Sequence, residues 1–256
     1  MTCIFPVVWL IYSSLKTDSE FLLSPAALPK TIHFDNFVMA FKRANFGTFT
    51  FNSAFNSVIS LLFVLFISFT MGYLLSRYRF KGRKLIYALL MSAIMIPVYA
   101  LMVPIFIEEK QIGILNTRFS LLPVYIAIEL PTSVFLIDCY LKGIPIDLED
   151  AAEIEGAGLP RIMYMIMMPL CKPILSTIII LTFMHVWNEF PFAQVLITTE
   201  TLKTIPIGLT YFTSQYSTSY TLFLSALTMA TIPIIIIYLL FYNKIMEGMM
   251  AGAIKG

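Results

Sequence analysis

Residues Pro145–Pro173 read PIDLEDAAEIEGAGLPRIMYMIMMPLCKP, a polar, acid-bearing stretch set inside an otherwise membrane-like chain. Leu148 to Ala157 reads as a short helix with one nearly bare side. Ala152 and Gly156 lie four residues apart, which on a helix stacks them on one face. Small side chains there let another protein approach the backbone, and Glu149, Asp150 and Glu155 offer charge to a basic partner. A membrane protein with such a helix between two spans is expected to dock something soluble.

The rest of the chain supplies the membrane. Of its 256 residues 59% are hydrophobic and 12% charged, with a mean hydropathy of +0.84. A soluble domain carries about a quarter charged residues. A net charge of +2, without a basic tract bearing interleaved aromatics, gives nucleic acid no footprint. Cys3, Cys139 and Cys171 show neither CxxC spacing nor a metal pattern, so they read as free thiols.

A helix crosses the hydrocarbon core with about 20 mostly apolar residues. The runs 54–75, 85–107 and 220–242 reach that length without a charge. The runs 119–141 and 174–197 reach it with Glu129 and Asp138, and His185 and Glu189, inside them. The run 4–15 is only half a crossing and reads as a first span shortened at its start, or as a short interfacial helix. The expected fold is therefore an all-α polytopic bundle of about six spans over residues 1–256, one membrane domain with the loop 143–172 between spans four and five.

Direction follows from Ser76–Lys84, where Arg77, Arg79, Lys81, Arg83 and Lys84 occur without an acid. Short cationic loops stay in the cytoplasm. The loop 143–172 and both termini then lie inside, and Lys16–Ser53, Glu108–Arg118 and Thr198–Ser219 outside. The acidic helix is thus placed in the cytoplasm by charges it does not carry.

The signature stretch resembles the EAA loop of ABC importer permeases, whose pattern runs roughly E-A-A-x-x-D-G-A and closes on L-P-L-x-x-P. Asp150-Ala151-Ala152 stands for E-A-A, Glu155-Gly156-Ala157 for D-G-A, and Met168-Pro169-Leu170-Cys171-Lys172-Pro173 for the close. Trp187-Asn188-Glu189-Phe190, the run Leu202–Leu209 and the tail Gly248–Gly256 are similar to the carbohydrate branch, most of all to the maltose-type second permease subunit. The resemblance covers nearly the whole chain and departs at the abbreviated N-terminus. It implies a non-enzymatic subunit of the bacterial cytoplasmic membrane that works with a second permease, a pair of ATPase domains holding ATP and Mg, an extracytoplasmic solute-binding protein and a sugar. No G-x-x-x-x-G-K-[ST] phosphate loop occurs here, so the motor is expected elsewhere.

On this reading Glu149, Asp150, Ala151, Ala152, Glu155, Gly156, Ala157 and Pro169 form the coupling surface. For the acids, a solvated first turn favoured by the helix dipole is the competing reading. His185, Asn188, Glu189 and Phe192 recur at three- and four-residue intervals, one face of a fifth span. With Glu129 they are candidates for a translocation path, since charges inside a bilayer tend to face cavities or partners. A polar seam against the companion subunit is the alternative. Tyr99 reads as packing. Tyr211, Phe212 and Tyr216 read as an outer surface for the binding protein or as an interfacial belt. Gly248 and Gly252 fall in a loop-like tail.

Overall fold

The computed structural model describes residues 4–43, 45–213 and 219–253, with side chains up to Tyr242. Cys3 and Tyr216 lie outside the described residues. In chain order the helices are α1 (Phe5–Ser14), α2 (Asp18–Leu23), α3 (Asp35–Arg43), α4 (Phe46–Arg77), α5 (Arg83–Ile94), α6 (Met102–Ile112), α7 (Leu121–Leu141), α8 (Asp147–Ile154), α9 (Leu159–Arg161), α10 (Met168–Leu170), α11 (Lys172–Asn188), α12 (Pro191–Leu196), α13 (Ile205–Leu209) and α14 (Tyr220–Ala253).

Among the described residues, three helices are long and apolar enough to cross a membrane: α4, α7 and the Tyr220–Tyr242 part of α14. At 32 residues, α4 rises about 48 Å, more than a hydrocarbon core of about 30 Å. Two bent pairs bring the possible spans to five, and α1, ten residues long, is shorter than a crossing.

The expected span 85–107 is broken rather than merely bent. α5 meets the segment Val98–Ile112 at 99°, with Pro97 in an extended conformation at the corner. Proline removes a donor and disfavours helical geometry in the residue before it, so an apolar run can still turn. Pro131, by contrast, sits inside an uninterrupted α7. The expected span 174–197 also differs. α11 stops at Asn188 and α12 follows as a separate turn, with Pro191 near its start. On the other side α11 meets Leu159–Leu170, which includes a π turn over Ile162–Met167, at 78°. Gly248 and Gly252 lie in the helix α14 rather than in a loop-like tail.

α4 and α7 make the most extensive helix pairing. Small residues permit it. Ser57, Ser60, Ser68 and Gly72 are buried along α4, and a Cβ on Gly72 would lie 2.7 Å from Ile137 Cγ2. Close backbone approach of this kind replaces the hydrophobic drive that lipid cannot supply. α11 packs on α4 and α14, while α1 and α3 pack on α14. The N-terminal segment is held to α14 by Asp18, whose Oδ1 accepts from the Thr221 N–H and hydroxyl at 2.8 Å each.

Candidate functional site

At one end of the bundle α8 lies between α7 and the bent segment leading into α11. Its inward side is Glu149 and Ala152, both buried and three residues apart. Ala152 joins the core of Tyr73, Ile162, Met163 and Met167. Glu149 Oε1 pairs with Arg77 Nε at 2.6 Å, and Glu149 Oε2 accepts the Tyr73 hydroxyl at 2.5 Å. Arg77 Nη2 also donates to Ile144 O at 2.8 Å. Glu149 is therefore turned into the protein, away from the surface where the sequence placed its charge. The basic loop and α8 meet at the same end of the bundle through this pair.

The opposite side of α8 carries Asp147, Asp150, Ala151 and Ile154, all exposed. Ile154 is 88% exposed, a large apolar side chain at the C-terminal end of α8 between exposed Glu153 and Glu155 in the chain, which the small-residue pattern did not single out. The helix stops at Ile154, so Ala152 and Gly156 do not share a face. Ala157 N–H donates to Ala152 O at 3.0 Å and Gly156 N–H to Glu153 O at 2.9 Å, the paired bonds of a left-handed helix stop. Gly156 has φ +83 with open space around the position of a Cβ. Its backbone conformation, not a close neighbour, calls for glycine. Glu155 is exposed, Ala157 half-buried, and Pro169 exposed in the turn of α10 just before the bend into α11.

Two cavities of about 410 Å³ and 470 Å³ open between α7, α11 and the bent α5–α6 segment. Val98, Ile128, Glu129 and His185 line both. Glu129 is 7% exposed, its Oε1 3.1 Å from His185 Nδ1 and its Oε2 3.4 Å from the donating Thr182 hydroxyl. Tyr99, Tyr125, Asn188, Glu189 and Phe192 belong to the larger cavity. The path candidates thus share one wall, though not through the helix face expected of them.

Glu189 lies beyond the end of α11. Its carboxylate accepts from Phe192 N–H at 2.7 Å, Ala193 N–H at 3.1 Å and the Tyr125 hydroxyl at 2.8 Å. It caps α12 and ties it to α7. Asn188 Nδ2 donates to Met184 O at 2.8 Å. Tyr99, expected as packing, is 57% exposed and its ring lies 6.0 Å from that of buried Phe192. The corner at Pro97 delivers it to the cavity. Among the described residues no group of three His, Cys, Asp or Glu side chains is arranged to hold a metal.

On the loop after α12, Lys203 Nζ donates to Glu200 Oε2 at 2.8 Å and to the Tyr211 hydroxyl at 2.6 Å, and that hydroxyl donates to Glu200 Oε2 at 2.7 Å. Phe212, expected at the surface, is buried in a core with Phe49 and Trp187.

The family model described as "Binding-protein-dependent transport system inner membrane component" matches residues 65–249. The chain is 34% identical to the arabinooligosaccharides transport system permease protein AraQ of Bacillus subtilis, over 99% of this chain and 91% of that one. It is 30% identical to the diacetylchitobiose uptake system permease protein NgcG of Streptomyces coelicolor, over 98% and 84%. A solved bacterial ABC transporter involved in the import of the acidic polysaccharide alginate has the same fold, with a TM-score of 0.81 at 23% identity over 94% of this chain and 90% of that one.

Proposed function

This chain belongs to the family of binding-protein-dependent transport system inner membrane components, and we propose that it is the membrane-spanning permease subunit of an ATP-driven importer of a sugar or oligosaccharide. The observation that carries this reading is the likeness, over almost the whole chain, to permeases named for arabinooligosaccharide and diacetylchitobiose uptake. The subunit is not itself an enzyme. ATP and Mg belong to a separate ATPase pair, and a second permease subunit and a solute-binding protein complete the assembly.

Six crossings follow if each bent pair and α1 count as spans, with residues 1–256 as one membrane domain and both termini in the cytoplasm. Arg79, Lys81 and Lys84 then hold the α8 end inside. α8 is the coupling helix. Asp147, Asp150, Ala151 and Ile154 face the ATPase, Glu155 adds charge at the rim, and Gly156 fixes where the helix ends. An exposed isoleucine on a helix that also exposes Asp147 and Asp150 suits a groove with an apolar floor and basic walls. Pro169 shapes the bend by which the loop re-enters the membrane.

The two cavities are read as part of the solute path. Tyr99 offers aromatic surface, and Glu129, His185 and Asn188 offer hydrogen-bonding groups, the mixture that a sugar ring with apolar faces and hydroxyl edges can use. Phe192 and Glu189 hold that wall in shape.

Reconstitution with its ATPase, companion permease and binding protein in proteoliposomes tests the assignment. Labelled oligosaccharide is expected to enter only with ATP inside and binding protein outside. Uptake of a peptide or amino acid in place of any sugar would overturn the substrate reading. Ile154→Glu and Asp150→Lys test the docking face. Each should insert normally yet lose co-purifying ATPase, and unchanged ATPase recovery in both would remove α8 from the interface.

A further inference from the structure

α8 has an apolar and an ionic attachment to the rest of the bundle, and their main partners differ. Its most extensive helix contact is with the Ile162–Met167 turn, which continues through the bend into α11, and Ala152 enters the core there, a core that Tyr73 of α4 and Ile137 and Leu141 of α7 also border. Glu149 reaches the other way, to Arg77 in the last turn of α4. Both side chains of that pair are 10% exposed, and the Tyr73 hydroxyl, one turn earlier on α4, binds the second carboxylate oxygen. Arg77 meanwhile holds Ile144 O in the connection from α7. One guanidinium thus joins the ends of α4 and α7 to α8, and α7 carries Glu129 on the cavity wall.

We propose that Arg77 and Glu149, with Tyr73, form a strut that transmits displacement of α8 to the α4–α7 pair, so that the cavity walls on α7 and on α11 move with the docked motor. Packing through Ala152 alone would act chiefly on the turn that leads into α11 and would reach α4 and α7 only through the non-directional apolar core they share. A buried pair is suited to this task. Its net gift to stability is small, because desolvation offsets attraction, while its removal from one side leaves a charge stranded. Such a contact fixes geometry more than it adds stability, and both charges being needed makes it sensitive to either substitution. Arg77 and Glu149 are positioning residues; neither faces the solute or the outward surface of α8.

The inference rests on α8 being the coupling helix. Its test uses the assembled importer in proteoliposomes and reads sugar taken up per ATP hydrolysed, with ATPase recovery measured separately. Glu149→Gln and Arg77→Gln are each expected to retain the ATPase while uptake per ATP falls roughly tenfold, within the span that coupling substitutions reach. The exchanged pair Arg77→Glu with Glu149→Arg is expected to recover part of that loss. Should the single variants fail to fold, Tyr73→Phe removes one hydrogen bond only and is expected to lower uptake per ATP about two- to threefold. Wild-type uptake per ATP in every folded variant would overturn the strut. Loss of the ATPase itself from folded Glu149→Gln would also overturn it, because Glu149 would then belong to the docking contact. Failure of the docking reading shows elsewhere, as ATPase recovery indifferent to Ile154→Glu and Asp150→Lys.

Discussion

His185 Nδ1 lies 3.1 Å from Glu129 Oε1, a bond between α11 and α7 at the wall that both cavities share. The two partners differ in exposure: the histidine side chain is 66% exposed and the glutamate 8%. Glu129 is the fixed member and His185 the one presented to the cavity. Glu129→Gln keeps the shape and a hydrogen bond but removes the charge. Hydrogen bonds to charged groups contribute about 1.5–3 kcal/mol. If the solute uses this pair, Glu129→Gln and His185→Ala should each lower uptake by about tenfold or more. Uptake in proteoliposomes at subsaturating sugar checks this, with ATPase recovery expected to stay at the wild-type level.

The stop at Gly156 yields a graded expectation. An L-residue pays about 1–2 kcal/mol to sit in the left-handed region, and asparagine pays less than others. With φ +83 and no neighbour near a Cβ, size should matter less than backbone preference. Gly156→Asn is expected to retain most ATPase binding, Gly156→Ala to lose part of it, and Gly156→Val to lose most, since a branched side chain tolerates this region worst. The order is read from ATPase co-purification at matched expression. A loss that followed side-chain volume alone, with alanine like wild type and asparagine worse, would point to contact with the partner instead.

Much of this was legible in the chain, and the misses have physical causes. Charge-free runs marked α4 and the first part of α14, and an apolar run carrying only Glu129 and Asp138 marked α7, because length and apolarity decide whether a segment can cross. A proline within a span signals a bend, but the size of the corner at Pro97 was not legible: composition is the same on both sides of it, and Pro131, in equally apolar surroundings, leaves α7 intact. The spacing of His185, Asn188, Glu189 and Phe192 suggested one helix face, yet Pro191 near the start of α12 marked a new turn and Glu189 its cap. The four still reach one cavity, since capping folds α12 back onto α7. Counting charges could not tell inward Glu149 from outward Asp150. That distinction came from Tyr73 and Arg77, more than seventy residues away. Ile154 carries no signal in the chain, because one isoleucine among acids does not tell the buried side of a short helix from the exposed one.

The loop after α12 gives a pH expectation. The Lys203 ammonium beside it holds the Glu200 carboxyl below the usual carboxylate range, and hydrogen bonding to Glu200 holds Lys203 above the usual lysine range. A depressed acid contributes above its unfolded pKa, about 4.3, and that contribution fades as pH falls through the lower folded value. A raised base contributes below its unfolded pKa, about 10.4, and fades as pH climbs through the higher folded value. The loop should therefore hold steady between about pH 5 and 10 and loosen at either end. The Glu200 side chain is 47% exposed, so the effect is local and screened by salt. Amide hydrogen exchange at Thr210–Phe212 reads it after correction for intrinsic rates. Glu200→Gln should loosen these amides throughout that window, and protection unchanged by the substitution would show that the loop is held by Phe212 alone.

Gly208 makes the tightest approach among the described glycines. A Cβ built there would fall 2.4 Å from Phe49 Cδ2, well inside van der Waals contact, and the Phe49 ring is fully buried between α4 and α13. Gly208 has an ordinary helical backbone, so helix propensity alone would make alanine favourable by up to about 1 kcal/mol. Overpacking a filled core costs about 1–3 kcal/mol, and here the obstacle is a ring held on an edge contact with Tyr211 at 6.0 Å between centroids. Crowding should win. Gly208→Ala is expected to lower the unfolding temperature of the detergent-purified permease, and Phe49→Leu in the same chain to restore part of it by vacating the ring edge. Each substitution alone should destabilise, while the pair should cost less than their sum, which a double-mutant cycle measures directly. Strict additivity would mean that the helix and the ring do not press on one another.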